Sequence, residues 1–149
     1  MRQSQNSLDK LLHLRETAKE QASLILQQSI EQLRAEEQLL QELQLKREQL
    51  QQRQNGTMNQ PVVRIATLQE NTRYQEYLEQ TIARQADQVQ AAGKQMQDKL
   101  EEWIRRAQDE RVLQKHRERR LALMDAEWGR VEQKELDDIS AVYHQRHLK

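Results

Sequence analysis

Two long stretches of this chain lack residues that interrupt helices. Residues 6–54 contain neither glycine nor proline, and residues 66–147 contain only two glycines, Gly93 and Gly129. Both stretches are rich in Gln, Glu, Leu, Arg and Lys, which are strong helix formers. Because the turn-forming sequence Asn-Gly-Thr-Met-Asn-Gln-Pro separates them, the chain is predicted to be an all-α helical hairpin. The predicted bounds are about 6–54 for helix 1, 55–65 for the turn and about 66–147 for helix 2.

The composition excludes a compact globular interior. Hydrophobic residues make up 36% of the 149 residues, aromatic residues 3% and charged residues 32%. Ordinary globular domains are more apolar and less charged, so this chain has enough apolar surface only for a narrow seam along each helix. Cysteine is absent, which excludes disulfides and thiol catalysis. The formal net charge of +0 gives no overall attraction to nucleic acid or to acidic membranes.

Apolar residues recur at spacings of three and four along both predicted helices, as in a coiled-coil seam. In helix 1 the seam contains Leu8, Leu11, Leu12, Ala18, Ala22, Ile25, Leu26, Ile30, Leu33, Leu40, Leu43 and Leu50. In helix 2 it contains Leu78, Ile82, Val89, Ala92, Met96, Leu100, Trp103 and Ala107. Polar residues at inward positions are Arg15, Gln32, Glu36 and Gln85. This pattern predicts one elongated domain over residues 1–149, an antiparallel two-helix coiled-coil hairpin of modest stability.

The second helix is longer than the first, so its last part is predicted to overhang. Antiparallel pairing from a turn near 55–65 places Leu8 opposite a residue between about 108 and 118. The overhang then carries an unpaired apolar face, which indicates either a partner protein or self-association. Trp103 falls inside the paired region and Trp128 outside it. The apolar residues of the overhang seam are Leu121, Met124, Trp128 and Val131, followed by Leu136, Ile139 and Val142.

Charge is segregated along the second half of helix 2. Residues 105–120 carry seven Lys or Arg against three Asp or Glu, a net charge of +4, and residues 125–138 carry two against six, a net charge of −4. Such charges can simply solvate a helix through i,i+4 pairs. They also suit docking on a charged protein surface. Nucleic-acid binding is the weakest interpretation, because no aromatic residues are interleaved with the basic block.

Motifs of catalysis, cofactor binding and metal binding are missing from the sequence. The chain has four histidines, of which His144 and His147 lie three residues apart, but no third ligand is evident beside them. It has no His-Glu-x-x-His motif and no phosphate-binding glycine loop. We therefore expect no enzyme activity, no cofactor, no metal and no catalytic residue. The sequence also lacks an apolar secretion segment and a membrane-spanning stretch, so we expect a soluble cytoplasmic protein without membrane insertion.

Three sequence blocks stand out in order along the chain. The first begins helix 1, the second follows the predicted turn, and the third lies near the end of helix 2. The blocks are LDKLLHLRE at 8–16, YQEYL at 74–78, and KHRERRL at 115–121 followed by EQKELDDI at 132–139. Taken together and in this order, they resemble the FliJ family of flagellar export proteins. The related stalk proteins of virulence type III secretion share the hairpin, but the last block resembles the flagellar pattern.

The resemblance implies a stalk-like hairpin that links a hexameric export ATPase to the cytoplasmic part of the export gate. It also implies contact with export chaperones, and a position at the cytoplasmic side of the inner membrane through the export apparatus. Two alternatives stay open, a homodimeric coiled-coil spacer and the equivalent stalk of a virulence system. A nucleic-acid-associated helical protein is a third and weaker one.

The resemblance further implies two binding surfaces. The gate is expected to contact Tyr74, Tyr77, Leu78 and Thr81 just past the turn. The alternative is that the two tyrosines pack on helix 1 near Leu43 or Leu50. The ATPase is expected at the open end of the hairpin, where arginine forks suit carboxylates on a protein surface. The residues expected there are Leu8, Leu11, Leu12, Arg15, Arg111, Arg117, Arg119 and Arg120.

Overall fold

The chain forms two long helices that pack against each other. The structure, a computed structural model, describes residues 2–58, 62 and 64–147, with side chains described from residue 6 onward except at 57. Helix α1 is Arg2–Met58 and helix α2 is Ile65–His147, and the described residues contain no strand. The predicted all-α hairpin with a longer second helix is confirmed.

Helix α1 is longer than expected at both ends, whereas α2 matches its expected range within one residue. Helix α1 begins at Arg2 and continues through Gly56 to Met58. A glycine costs about 1 kcal/mol in a helix interior, but less is lost in the last turn, where few hydrogen bonds depend on it. At the start of α2, the amide of Leu68 donates to the carbonyl oxygen of Arg64 at 3.2 Å, which closes the first turn. The centre of the expected turn, residues 59–61 and 63, lies outside the described residues.

The contacts fall into two compact units, and in each the helices are antiparallel. One unit combines the part of α1 up to Lys19 with the part of α2 from Arg105 onward, and the other is Glu20–Ile104. Among the described residues of the first unit, ion pairs join the helices, and Asp9 pairs with a later residue of α2 than Arg15 and Lys19 do. The pairs are Asp9 with Arg117 at 3.0 Å, Arg15 with Asp109 at 3.5 Å and Lys19 with Glu110 at 3.0 Å.

Within Glu20–Ile104 the apolar seam forms the core, and it includes a polar layer. The buried apolar side chains there are Ala22, Leu50, Leu78, Ile82 and Ala92. In the polar layer, Nε2 of Gln85 donates to the backbone carbonyl of Glu36 at 2.9 Å and also to the Glu36 carboxylate. Gln85 is buried and Glu36 is half-buried, as their inward positions predicted. The amide satisfies a carboxylate that would otherwise be costly to remove from water.

The seam is narrower than the apolar pattern suggested. Most of the predicted seam residues are buried or half-buried, but Leu11, Ile25 and Gln32 are exposed. Their neighbours explain the difference for the two apolar residues. Leu12 and Leu26 occupy the inward positions beside Leu11 and Ile25, and adjacent helix residues point about 100° apart. A two-helix interface covers only one of the two neighbours.

The side chains in the last part of α2 are accessible to solvent. Every described side chain from 125 to 147 is exposed, as predicted for the overhang. Trp128 is 66% exposed there, whereas Trp103 is half-buried in the unit Glu20–Ile104. Among the described residues, neither helix contains a window that is apolar enough to cross a lipid bilayer.

Candidate partner-binding sites

Two tyrosines form an exposed aromatic pair in the first part of α2. Tyr74 and Tyr77 lie three residues apart on one face of the helix, and they are 46% and 62% exposed. Their ring centroids are 6.5 Å apart with planes inclined by 25°, a stacked arrangement. Beside them Oγ1 of Thr81 donates to the carbonyl oxygen of Tyr77 at 2.7 Å. Both tyrosine rings are therefore accessible to solvent.

Leu78 belongs to the same sequence block but is buried. Its side chain is 2% exposed and lies in the seam between the helices. The structure therefore places Tyr74, Tyr77 and Thr81 on the accessible side, and Leu78 beneath them. A partner at this surface would contact the tyrosines directly, while Leu78 holds the helix that carries them.

The start of α1 forms a cleft against α2. We call it the arginine cleft, and it is lined by Leu8, Asp9, Arg117, Arg120 and Leu121. Nε of Arg117 lies 3.0 Å from Oδ1 of Asp9, so these two cleft residues form an ion pair. The pairing near Leu8 lies at the far end of the range predicted from the helix lengths. The cleft combines leucine side chains with arginine donors, which suits an apolar and acidic partner surface.

The eight residues expected to bind the ATPase are divided by the structure into three groups. Leu8, Arg117 and Arg120 line the cleft. Leu12 is buried, and the guanidinium of Arg15 pairs with Asp109 at 3.5 Å, so these two residues belong mainly to the hairpin itself. Exposed side chains form the third group, which consists of Leu11, Arg111 and Arg119.

A buried ionic group was missed by the sequence analysis. Glu110 is buried, with Oε2 3.0 Å from Nζ of Lys19 and with Oε1 accepting a hydrogen bond from Nε2 of Gln114 at 3.1 Å. The signal was available, because a step of three from Ala107 continues the seam to Glu110 and a further step of four reaches Gln114. Both residues are polar, so they do not stand out as a continuation of the apolar pattern.

The described residues contain no group of three or more His, Asp or Glu side chains that could hold a metal ion. At the end of α2 the ring of His147 lies on that of Tyr143, with centroids 4.0 Å apart. Nδ1 of His147 is also 3.2 Å from the carbonyl oxygen of Tyr143. These contacts occupy one of the two histidines considered as metal ligands.

The comparisons with known proteins agree with the sequence blocks. A family model described as flagellar FliJ protein matches residues 4–149, which is nearly the whole chain. No curated protein and no solved structure matches the chain. The chain therefore belongs to the flagellar FliJ protein family.

Proposed function

We propose that this chain is a stalk that links the hexameric ATPase of flagellar type III export to the cytoplasmic part of the export gate. In general terms the FliJ family has a stalk role in flagellar export, and it is a family of adaptors and not of enzymes. The observation that supports a linking role is the presence of two accessible surfaces with different chemistry. One is the tyrosine pair Tyr74–Tyr77, and the other is the arginine cleft that contains the start of α1.

The tyrosine pair is the proposed contact for the gate. Two exposed aromatic rings supply a large contact area at a low cost in side-chain entropy, which is typical of binding hot spots. We expect Tyr77→Ala to weaken binding to the isolated cytoplasmic part of the gate by about tenfold or more, since hot-spot truncations cost about 2 kcal/mol. Helix content by circular dichroism is expected to be unchanged. A matched control is Tyr143→Ala, because Tyr143 is 61% exposed but lies in the overhang.

The proposed contact for the ATPase is the arginine cleft together with the exposed side chains of Arg111 and Arg119. Single exposed ion pairs contribute only about 0–1 kcal/mol, so a reversal of several charges is needed. We expect the triple variant Arg117→Glu, Arg119→Glu, Arg120→Glu to lose stimulation of the ATPase, because like charges then face each other. Binding of the wild-type chain is expected to weaken with salt.

A second variant distinguishes the loss of ATPase docking from the loss of contacts within the hairpin. Arg117 pairs with Asp9, so its reversal also places two carboxylates together. The double variant Arg111→Glu, Arg119→Glu changes two exposed side chains and leaves that pair intact. Normal ATPase stimulation by both variants would show that this surface is not the docking site.

The same proposal places the chain at the cytoplasmic side of the inner membrane, held there by the export apparatus, where export chaperones would also meet it. Sedimentation of the isolated chain tests the alternative of a homodimeric spacer. A monomer that binds the ATPase supports the stalk, and a stable dimer without ATPase binding supports the spacer. Exchange of the flagellar ATPase for a virulence-system ATPase in the same binding assay distinguishes the two export systems.

A further inference from the structure

The overhang of α2 presents an apolar stripe whose residues Trp128, Val131, Ile139 and Val142 are exposed. Met124, Trp128 and Val131 line one concave surface together with Glu127. Trp128 is 66% exposed and Val131 is 49% exposed. Steps of three and four then lead through Glu135 to two more exposed apolar residues, Ile139 and Val142. We call residues 124–142 the overhang stripe.

Acidic side chains border the overhang stripe on both sides. Asp125 and Glu132 are seven residues apart on one edge, and Glu127 and Asp138 are eleven apart on the other. Residues that are seven or eleven positions apart lie on nearly the same face of a helix, so each of these two pairs lies along one edge of the stripe. Glu135 lies within the stripe itself.

Cations are nearly absent from this face. Only Arg130 and Lys134 are basic in residues 124–142. By helical position Arg130 lies on the opposite face, and Lys134 lies at the outer margin of the edge that contains Glu127. The accessible surface is therefore apolar along its centre and negative along its borders.

This charge pattern argues against a second copy of the chain as the occupant. If two overhang stripes paired antiparallel through Trp128, residues equally far before and after Trp128 would face each other, so the carboxylate of Asp125 in one copy would lie near Glu132 of the other. Glu127 would likewise approach Glu127 of the second copy. Like charges across a helix pair are destabilising, so the borders disfavour this pairing. An anionic lipid surface is disfavoured for the same reason.

We propose that the overhang stripe binds an amphipathic helix of another protein, one whose apolar seam is bordered by Lys and Arg. The apolar centre supplies the affinity, because a buried tryptophan removes a large area from water. The acidic borders supply the selectivity for a basic helix. The site shares no residue with the surfaces proposed for the gate and the ATPase.

The test uses the full chain and two designed helical peptides labelled with a fluorophore. Both peptides carry the same leucine seam, with Lys on its borders in one and Glu in the other. We expect the Lys peptide to bind at least about tenfold more tightly than the Glu peptide, as expected for several complementary charge pairs. Its binding is also expected to weaken as salt is added.

Variants of the chain locate the binding surface. The double variant Trp128→Ala, Val131→Ala is expected to weaken binding of the Lys peptide by at least about tenfold. The matched control is Gln133→Ala, because Gln133 lies on the opposite face, where it donates to Asp137 at 3.1 Å. This control is expected to bind the peptide as the wild-type chain does.

Three results would overturn the proposal. The first is equal binding of the two peptides, and the second is equal loss of binding in the control and in the double variant. The third is self-association of the wild-type chain that the double variant abolishes in sedimentation, since a second copy would then be the occupant. None of these results depends on ATPase or gate binding.

Discussion

Replacement of Leu78 by alanine is expected to destabilise the hairpin by about 2–3 kcal/mol. Leu78 is 2% exposed, so nearly all of its side chain is removed from water on folding. Truncation to alanine deletes three carbons, and at about 0.8 kcal/mol for each the lost transfer free energy is about 2.4 kcal/mol. A two-helix seam can partly collapse around the gap, so the cavity contribution is small and the total stays in the lower half of the usual range of about 2–5 kcal/mol.

The adjacent residue provides the matched control. Tyr77 is 62% exposed, so Tyr77→Ala is expected to cost only about 0.5 kcal/mol of stability, as for other surface substitutions. Urea unfolding followed by circular dichroism measures both variants. The midpoint is expected to fall clearly for Leu78→Ala with an unchanged slope, which indicates a change in stability and not in the unfolded state.

The two neighbouring substitutions are also expected to separate stability from binding. Tyr77→Ala is expected to weaken gate binding at nearly normal stability. Leu78→Ala is expected to lower stability but to bind the gate normally under conditions where it is folded. If Leu78→Ala costs less than about 1 kcal/mol, or if Tyr77→Ala costs as much as Leu78→Ala, then the assignment of one residue to the seam and the other to the surface is wrong.

Three further predictions concern the polar layers and the tryptophans. Glu110→Ala is expected to cost about 1–3 kcal/mol in urea unfolding, because Lys19 and the neighbouring amide lose the carboxylate that they contact; a loss near zero would contradict this. Gln85→Ala is expected to cost about 1–2 kcal/mol by the same measurement, since a half-buried carboxylate loses its donor. In single-tryptophan variants, Trp103 is expected to emit at shorter wavelength than Trp128, and equal emission from a proven monomer would contradict the pairing of the helices.

The seam and its polar layer could be predicted from the sequence because burial in a two-helix coil follows a simple period. Residues at spacings of three and four fall on one face whatever the details of the side chains. Glu36 and Gln85 were assigned inward positions on that basis, and the structure joins them by hydrogen bonds. The same spacing leads from Ala107 to Glu110, which lies beyond the last apolar residue of the paired run and was not assigned to the seam.

Positions at the edge of the seam could not be assigned in this way. Leu11 and Ile25 fit the apolar pattern as well as their buried neighbours do, and only the packed structure decides which of two adjacent leucine or isoleucine side chains the other helix covers. Leu78 was grouped with the tyrosines because the three share a sequence block, although its helical position places it inside. The partners of the arginines were also beyond the sequence, since many carboxylates lie within reach of a long side chain.

The ion pairs between the start of α1 and the second half of α2 have a consequence for the order in which the hairpin assembles. Glu36 and Gln85 are separated by 49 residues, and Asp9 and Arg117 by more than twice as many. Each doubling of the loop that a contact closes adds about 0.6 kcal/mol of entropy cost, and helix pairs already formed shorten the loop that remains. The assembly route with the lowest entropy cost therefore starts at contacts near the interhelical connection. Further contacts then form one after another toward the free ends of the helices. The arginine cleft forms in the last steps of that route and is the first part to open when the helices separate from their free ends.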